Sequence, residues 1–117
     1  MTSYPSAYLE FIRLFNERHF FEAHEVLESL WREEKSADSD FFQGLIQIAA
    51  LFVHLQKKNR FGAERLMKTA SAYLQPYAPR HYGIQIKTIL EQAEAAIAMA
   101  EEDQDITFFE IKVPPDF

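Results

Sequence analysis

Cysteine is absent from the 117 residues. That excludes disulfides, thiolate metal sites and a cysteine nucleophile, and it makes a reducing, cytoplasmic compartment the expected address. Glycine is scarce, at three, and two of the five prolines stand within the last four residues. So few breakers favour long helices over turn-rich β structure. No Gly-rich phosphate loop and no G-x-S-x-G nucleophile elbow occurs. The longest apolar stretch, Leu45 to Leu55, is interrupted by Gln47 and His54 and is too short to span a bilayer. Met1 to Leu9 lacks the basic-then-apolar order of a signal peptide. Neither a membrane nor a cofactor is implied. Basic residues are outnumbered, 12 against 18, giving a net charge of −6 and a pI near 5.2, which argues against nucleic acid as a partner. The charge is uneven along the chain. Lys57, Lys58, Arg60, Arg65 and Lys68 surround the middle with only Glu64 among them, while the stretch from Glu91 to Glu110 is acidic. The basic turn is a candidate anion site, although most such runs are solvated faces.

What the chain does contain is apolar and aromatic. Hydrophobic residues make up 48 %, with eleven Phe, five Tyr and one Trp, enough for one ring-rich core in one domain over residues 1–117. Apolar positions recur at helical spacing. Pro5, with Ser3 outside it, opens a first helix through Tyr8, Phe11, Ile12 and Phe15 to about Asn16. A second runs from Phe20 to about Glu34, and Lys35 to Asp40 is a polar loop. Asp40 and Gln43 have the form of a capping box opening a third helix that reaches about Lys58. This third helix is apolar on most of its circumference and is therefore expected at the centre. Asn59-Arg60 makes a turn, Phe61 to Leu74 forms a fourth helix ended by Pro76 and Pro79, and Tyr82-Gly83 opens a fifth with Ile86, Ile89, Leu90, Ala93, Ile97 and Ala100 on one face. Helices thus occupy residues 1–104, and an extended tail follows over 105–117.

A shift of 40 residues lays Phe15 on Leu55, Phe21 on Phe61, Ala23 on Ala63, Val26 on Leu66 and Leu27 on Met67. The fold class expected is all-α: two antiparallel helix hairpins, similar to tetratricopeptide hairpins though with a longer spacing, plus a C-terminal helix. Ala23, Ala63 and Gly62 allow close helix approach.

Two apolar runs carry polar residues that a plain core would not. On the second helix His24 falls beside Leu27 and Trp31, and Glu28 lies one turn on, in reach of His24; Glu25 and Glu22 point outward. On the third, Gln43, Gln47, Ala50 and His54 form one narrow stripe. An unpaired buried polar group costs roughly 1–3 kcal/mol, so these groups need partners, and His24 and Glu28 are expected to face Gln47 and His54 across Ala50. Three accounts compete: a buried hydrogen-bond network fixing helix register, a pocket for a small molecule or a metal using His24, Glu28 and His54, and acid–base catalysis by His24 with Glu28. H-E-V-L-E departs from the H-E-x-x-H zinc signature, with Glu28 where the second His would stand, so a zinc peptidase is not read here. Trp31 is expected as a core anchor, and His19 and His81 as solvated link residues.

The motif F-x-E-A-H-E-x-x-E-x-x-W (Phe20 to Trp31), F-x-Q-G-L-I-Q-I-A (Phe41 to Ala49), His54, and Asn59-Arg60 with Gly62-Ala63 together resemble the family catalogued as domain of unknown function 309. The resemblance covers about Phe11 to Leu74. It implies a compact helical fold and points to the polar residues without giving them a role. The function expected is a soluble binding or scaffold module whose polar seam takes a small ligand or a protein partner. Gln43 and Trp31 are peripheral to that seam. The alternatives are an enzyme using His24 and Glu28, with Gln47 and His54 orienting substrate, and a structural protein assembling as a homo-oligomer.

Overall fold

The computed structural model describes residues 4–33 and 36–112. Five α-helices lie among them: α1 (Ser6–Asn16), α2 (Phe20–Glu33), α3 (Ser39–Gln56), α4 (Arg60–Leu74) and α5 (Ile86–Glu101). The molecule is an all-α bundle in which each helix packs on the next, elongated to 44 × 25 × 24 Å. None of the described helices is long and apolar enough to cross a membrane. The central place expected for α3 is seen in its burial: ten residues, from Phe41 to Leu55, lose nearly all contact with solvent.

The two hairpins repeat in detail at the spacing of 40. After α1, Arg18 takes φ 67°; after α3, Lys58 takes φ 60°. Each turn closes with the same pair of backbone bonds. Arg18 N–H donates to Phe15 O and His19 N–H to Leu14 O, both at 2.9 Å, while Lys58 and Asn59 donate to Leu55 O (3.1 Å) and His54 O (2.8 Å). This is the left-handed helix stop that satisfies terminal carbonyls. Burial repeats as well. Ala23 and Ala63 are sealed, and so are Phe15 and Leu55, whereas Phe21 and Phe61 remain 54 % and 69 % exposed.

Three local expectations are corrected. Pro5 stands one position outside α1, as its cap, and Ser3 lies outside the described residues. No capping box forms at Asp40 and Gln43: α3 begins two residues earlier behind Asp38, leaving Asp40 in the first turn, where its charge suits the helix dipole. Between α4 and α5 the chain forms a 3₁₀ turn (Gln75–Tyr77) and then two short antiparallel strands, β1 (Arg80–His81) and β2 (Ile84–Gln85), joined by Tyr82-Gly83. A two-residue strand carries no periodicity to read.

The segment after α5, residues 104–112, is neither helix nor strand. Its Phe108 and Phe109 pack on the core, and Ile111 is buried. The last five residues, 113–117, lie outside the described ones. Tyr8 ties α1 to the link before α5 through a bond from its hydroxyl to Tyr82 O (2.8 Å); burial, then the neighbouring Tyr4 and Tyr82, push its pKa well up.

Candidate functional site

Helix α2 presents its polar residues as a ladder. His24 Nε2 stands 3.2 Å from one Glu28 oxygen, and Arg32 reaches the other at 2.6 Å. The spacing i, i+4, i+8 stacks the three on one side of the helix. His24 and Glu28 are about a quarter exposed, at 26 % and 29 %, and the Phe21 ring lies 5.8 Å from the imidazole. Glu22 and Glu25 are exposed, and Trp31 is half-buried against the core.

On α3, Gln43, Gln47, Ala50 and His54 are all half-buried, flanked by fully buried Ile46, Ile48, Leu51 and Phe52. The stripe is thus the border of the buried surface rather than its interior, and among the described residues no charged, imidazole or amide side chain is fully buried. The four do not form a sealed network, since each keeps part of its surface in solvent. Gln47 Oε1 nonetheless lacks both solvent and a hydrogen-bond partner.

His54 has the most constructed surroundings. Its Nδ1 lies 2.9 Å from Asn59 Nδ2, while Asn59 Oδ1 accepts the Gly62 N–H at 3.1 Å. Asn59 is the N-cap of α4, and this use of its oxygen fixes which end of the amide faces the imidazole. An amide NH₂ only donates, so Nδ1 must accept, and the neutral ring carries its proton on Nε2. Gly62 makes room for the pair: a Cβ there would sit 2.7 Å from Asn59 Nδ2 and 2.9 Å from His54 Nδ1. In the first hairpin the matching positions are Leu14, His19 and Glu22, so this arrangement belongs to the second turn alone.

Among the described residues, no hydrogen bond or ion pair joins His24 or Glu28 to Gln47 or His54. Among the described residues, no group of three or more His, Asp or Glu side chains is placed to hold a metal ion, His24, Glu28 and His54 included. The basic turn borders a cavity of about 430 Å³ lined by Lys58, Arg60 and Phe61 on one side and by Asp103 and Asp105 on the other. Carboxylates line it together with cations, so it is not a simple anion site. Arg60 lies over the Phe61 ring at 4.9 Å.

Sequence reasoning gave Asn59 and His81 no part in a polar site. Asn59 and Gly62 carried a usable signal, a capping residue three before a glycine at a helix start. His81 carried none. Expected in solvent, it is half-buried with Nε2 2.8 Å from Asp38 Oδ1, and it sits among Phe41 and Tyr77 at 4.8 Å and Tyr82 at 5.3 Å. Its partner is 43 residues away and becomes its neighbour only in the fold. His19 is exposed, as expected.

The sequence profile described as Domain of unknown function (DUF309) matches residues 8–66, which include His24, Glu28, Gln47, His54, Asn59 and Gly62. The chain is also similar to "Uncharacterized protein YpuF" of Bacillus subtilis (strain 168), 36 % identical over 74 residues. That match takes in 62 % of this chain and 42 % of the relative, so the chain spans less than half of the relative's length.

Proposed function

The chain belongs to the DUF309 family, and from that premise we propose that it is a recognition module, one helical domain whose partly exposed polar edge takes an elongated polar ligand or an extended segment of a partner. The observation that carries this reading is the preset imidazole of His54. Asn59 orients it, and Asn59 is itself held by the cap of α4. A ring locked in one tautomer presents a defined N–H donor, which a merely solvated histidine does not. Seven residues back on the same stripe, Gln47 Oε1 is an acceptor without a partner, shielded from solvent as it stands, so a ligand meets it once the half-buried Gln47 side chain swings outward. At 1.5 Å per residue the two stand about 10 Å apart along α3, the length of roughly three residues of extended peptide. A ligand offering both an acceptor and a donor at that separation suits the edge, and an amide or peptide backbone does so.

The test is an NMR titration of the full chain with a panel of acetylated tripeptide amides, small amides and carboxylates. Saturable shifts at the Gln47 side-chain amide and the His54 ring, lost in Gln47→Leu and His54→Phe variants that keep their helicity, are expected. Shifts confined to other surfaces, or none with any panel member, would sink the proposal. The catalytic reading of His24 with Glu28 has their 3.2 Å separation in its favour. Against it, the Glu28 carboxylate is shared with Arg32, which favours an anchoring role for that residue.

A further inference from the structure

The third left-handed helix stop leads somewhere different from the first two. After α5, Asp103 takes φ 56°; its N–H donates to Ala100 O (3.1 Å) and Gln104 N–H donates to Met99 O (2.8 Å). The same turn after α1 and α3 delivers a helix, but here it delivers a segment that crosses back to the first hairpin. Phe108 stacks on Phe20 at 5.6 Å under the guanidinium of Arg18 (4.8 Å). Phe109 lies 5.4 Å from Phe15 and 5.5 Å from Phe52. Asn16, the last residue of α1, then grips Ile111 by its backbone: Ile111 N–H donates to Oδ1 at 2.7 Å and Nδ2 donates to Ile111 O at 2.8 Å. Two bonds from one amide to one residue's backbone are how a neighbouring strand would be read, and here a side chain performs that reading.

Groove and occupant are separable in the sequence. Phe15, Asn16, Arg18, Phe20 and Phe52 all fall inside the family match at 8–66, while the segment that fills the groove lies outside it. Between Glu101, where α5 ends, and Ile106, the link residues Glu102, Asp103, Gln104 and Asp105 are all exposed. Three of those four are acidic, and Asp103 holds a left-handed backbone conformation that residues other than glycine adopt less readily. Straightening this link separates like charges and relieves the left-handed residue.

We propose that the α1–α3 aromatic groove is a docking site for an extended F-F-x-I segment and that its partner is the C-terminal segment of a second copy of this chain, exchanged reciprocally. The second copy carries the same residues, so the groove meets them with the same rings and the same Asn16 clamp. Reciprocal exchange closes a two-fold dimer with no groove left empty. Within one chain the link keeps the segment at a high effective concentration, so exchange is favoured at high protein concentration or during refolding. This proposal is independent of the polar edge and stands or falls without it.

The absence of cysteine makes a clean trap possible. Full-length Asn16→Cys and Ile111→Cys chains are unfolded, mixed, refolded together at high concentration and oxidised. A disulfide between residues 16 and 111 can then form only across two copies. The expected result is a covalent heterodimer on a non-reducing gel, with the 16–111 link confirmed by mass spectrometry of the digested product. The doubly substituted chain, refolded dilute, closes on itself and shows that the geometry permits the bond. Internal closure of the double variant with no heterodimer from the mixture overturns the proposal. Should the double variant fail to close, a chain lacking Gln104 and Asp105 decides the matter, since its link loses up to about 7 Å of reach. A species of doubled mass that reverts to single mass on adding Asn16→Ala supports exchange, and a single-mass species overturns it.

Discussion

One amide side chain, that of Asn59, serves two neighbours, and removing it should show two separable losses. Asn59→Ala should cost about 1 kcal/mol through the lost cap, read by urea denaturation. It should also release the His54 tautomer, read as convergence of the two ring ¹⁵N shifts. Gly62→Ala tests the same pair from the other side. A helical Gly→Ala change normally gains roughly 0.5–1 kcal/mol, but here the new methyl displaces Asn59 or the imidazole. The expected outcome is that this gain disappears and the His54 tautomer is lost, while in the Asn59→Ala background, where only His54 Nδ1 still crowds the methyl, part of the gain returns. The His24–Glu28 pair is a quarter exposed, so His24→Ala should cost less than about 1 kcal/mol. A loss of several kcal/mol would mean the pair is a buried network after all. His24, Glu28, Gln47 and His54 were legible because each interrupts an apolar period. Their half-buried state was not legible, because it depends on how far neighbouring helices cover the side of α2 or α3 on which each one stands.

At the scale of elements, α3 and α4 approach closely at Gly44, where an added Cβ would stand 2.5 Å from Leu74 Cγ and 3.2 Å from Tyr73 Cβ. Gly44→Ala should therefore destabilise the α3–α4 hairpin by roughly 1–3 kcal/mol through overpacking. Leu74→Ala in the same chain should recover part of that loss, a non-additivity that thermal unfolding of the four variants would reveal. The helices themselves were readable, since Tyr8, Phe11, Ile12 and Phe15 or Ile86, Ile89, Leu90 and Ala93 repeat at 3.6 residues. The true start of α3 was not, because a local box at Asp40 and Gln43 competed with a start at Asp38 whose side chain is taken by His81. The strands at 80–81 and 84–85 are too short to carry a period, and they persist because Tyr82 packs among Tyr4, Tyr8, Phe41 and Phe42.

At the scale of the whole molecule, Phe52 is the ring on which the two hairpins and the C-terminal segment converge, meeting Phe15, Phe20, Phe108 and Phe109. Phe52→Ala should cost about 3–5 kcal/mol, and Phe109→Ala less, since that side chain is only half-buried; equilibrium denaturation followed by circular dichroism checks both. The extended character of this segment was readable, but the groove it chooses was beyond sequence reasoning, because Asn16 and Ile111 stand 95 residues apart. This separation has a consequence for synthesis. The two hairpins form from near neighbours and can assemble as the chain emerges, but their aromatic groove stays bare until Ile111 has been made. At about 5–20 residues per second, the interval from Phe52 to Ile111 is roughly 3–12 s. During that time a nascent chain presents a bare cleft to its neighbours on a shared message, and the segment at 108–111 later covers it.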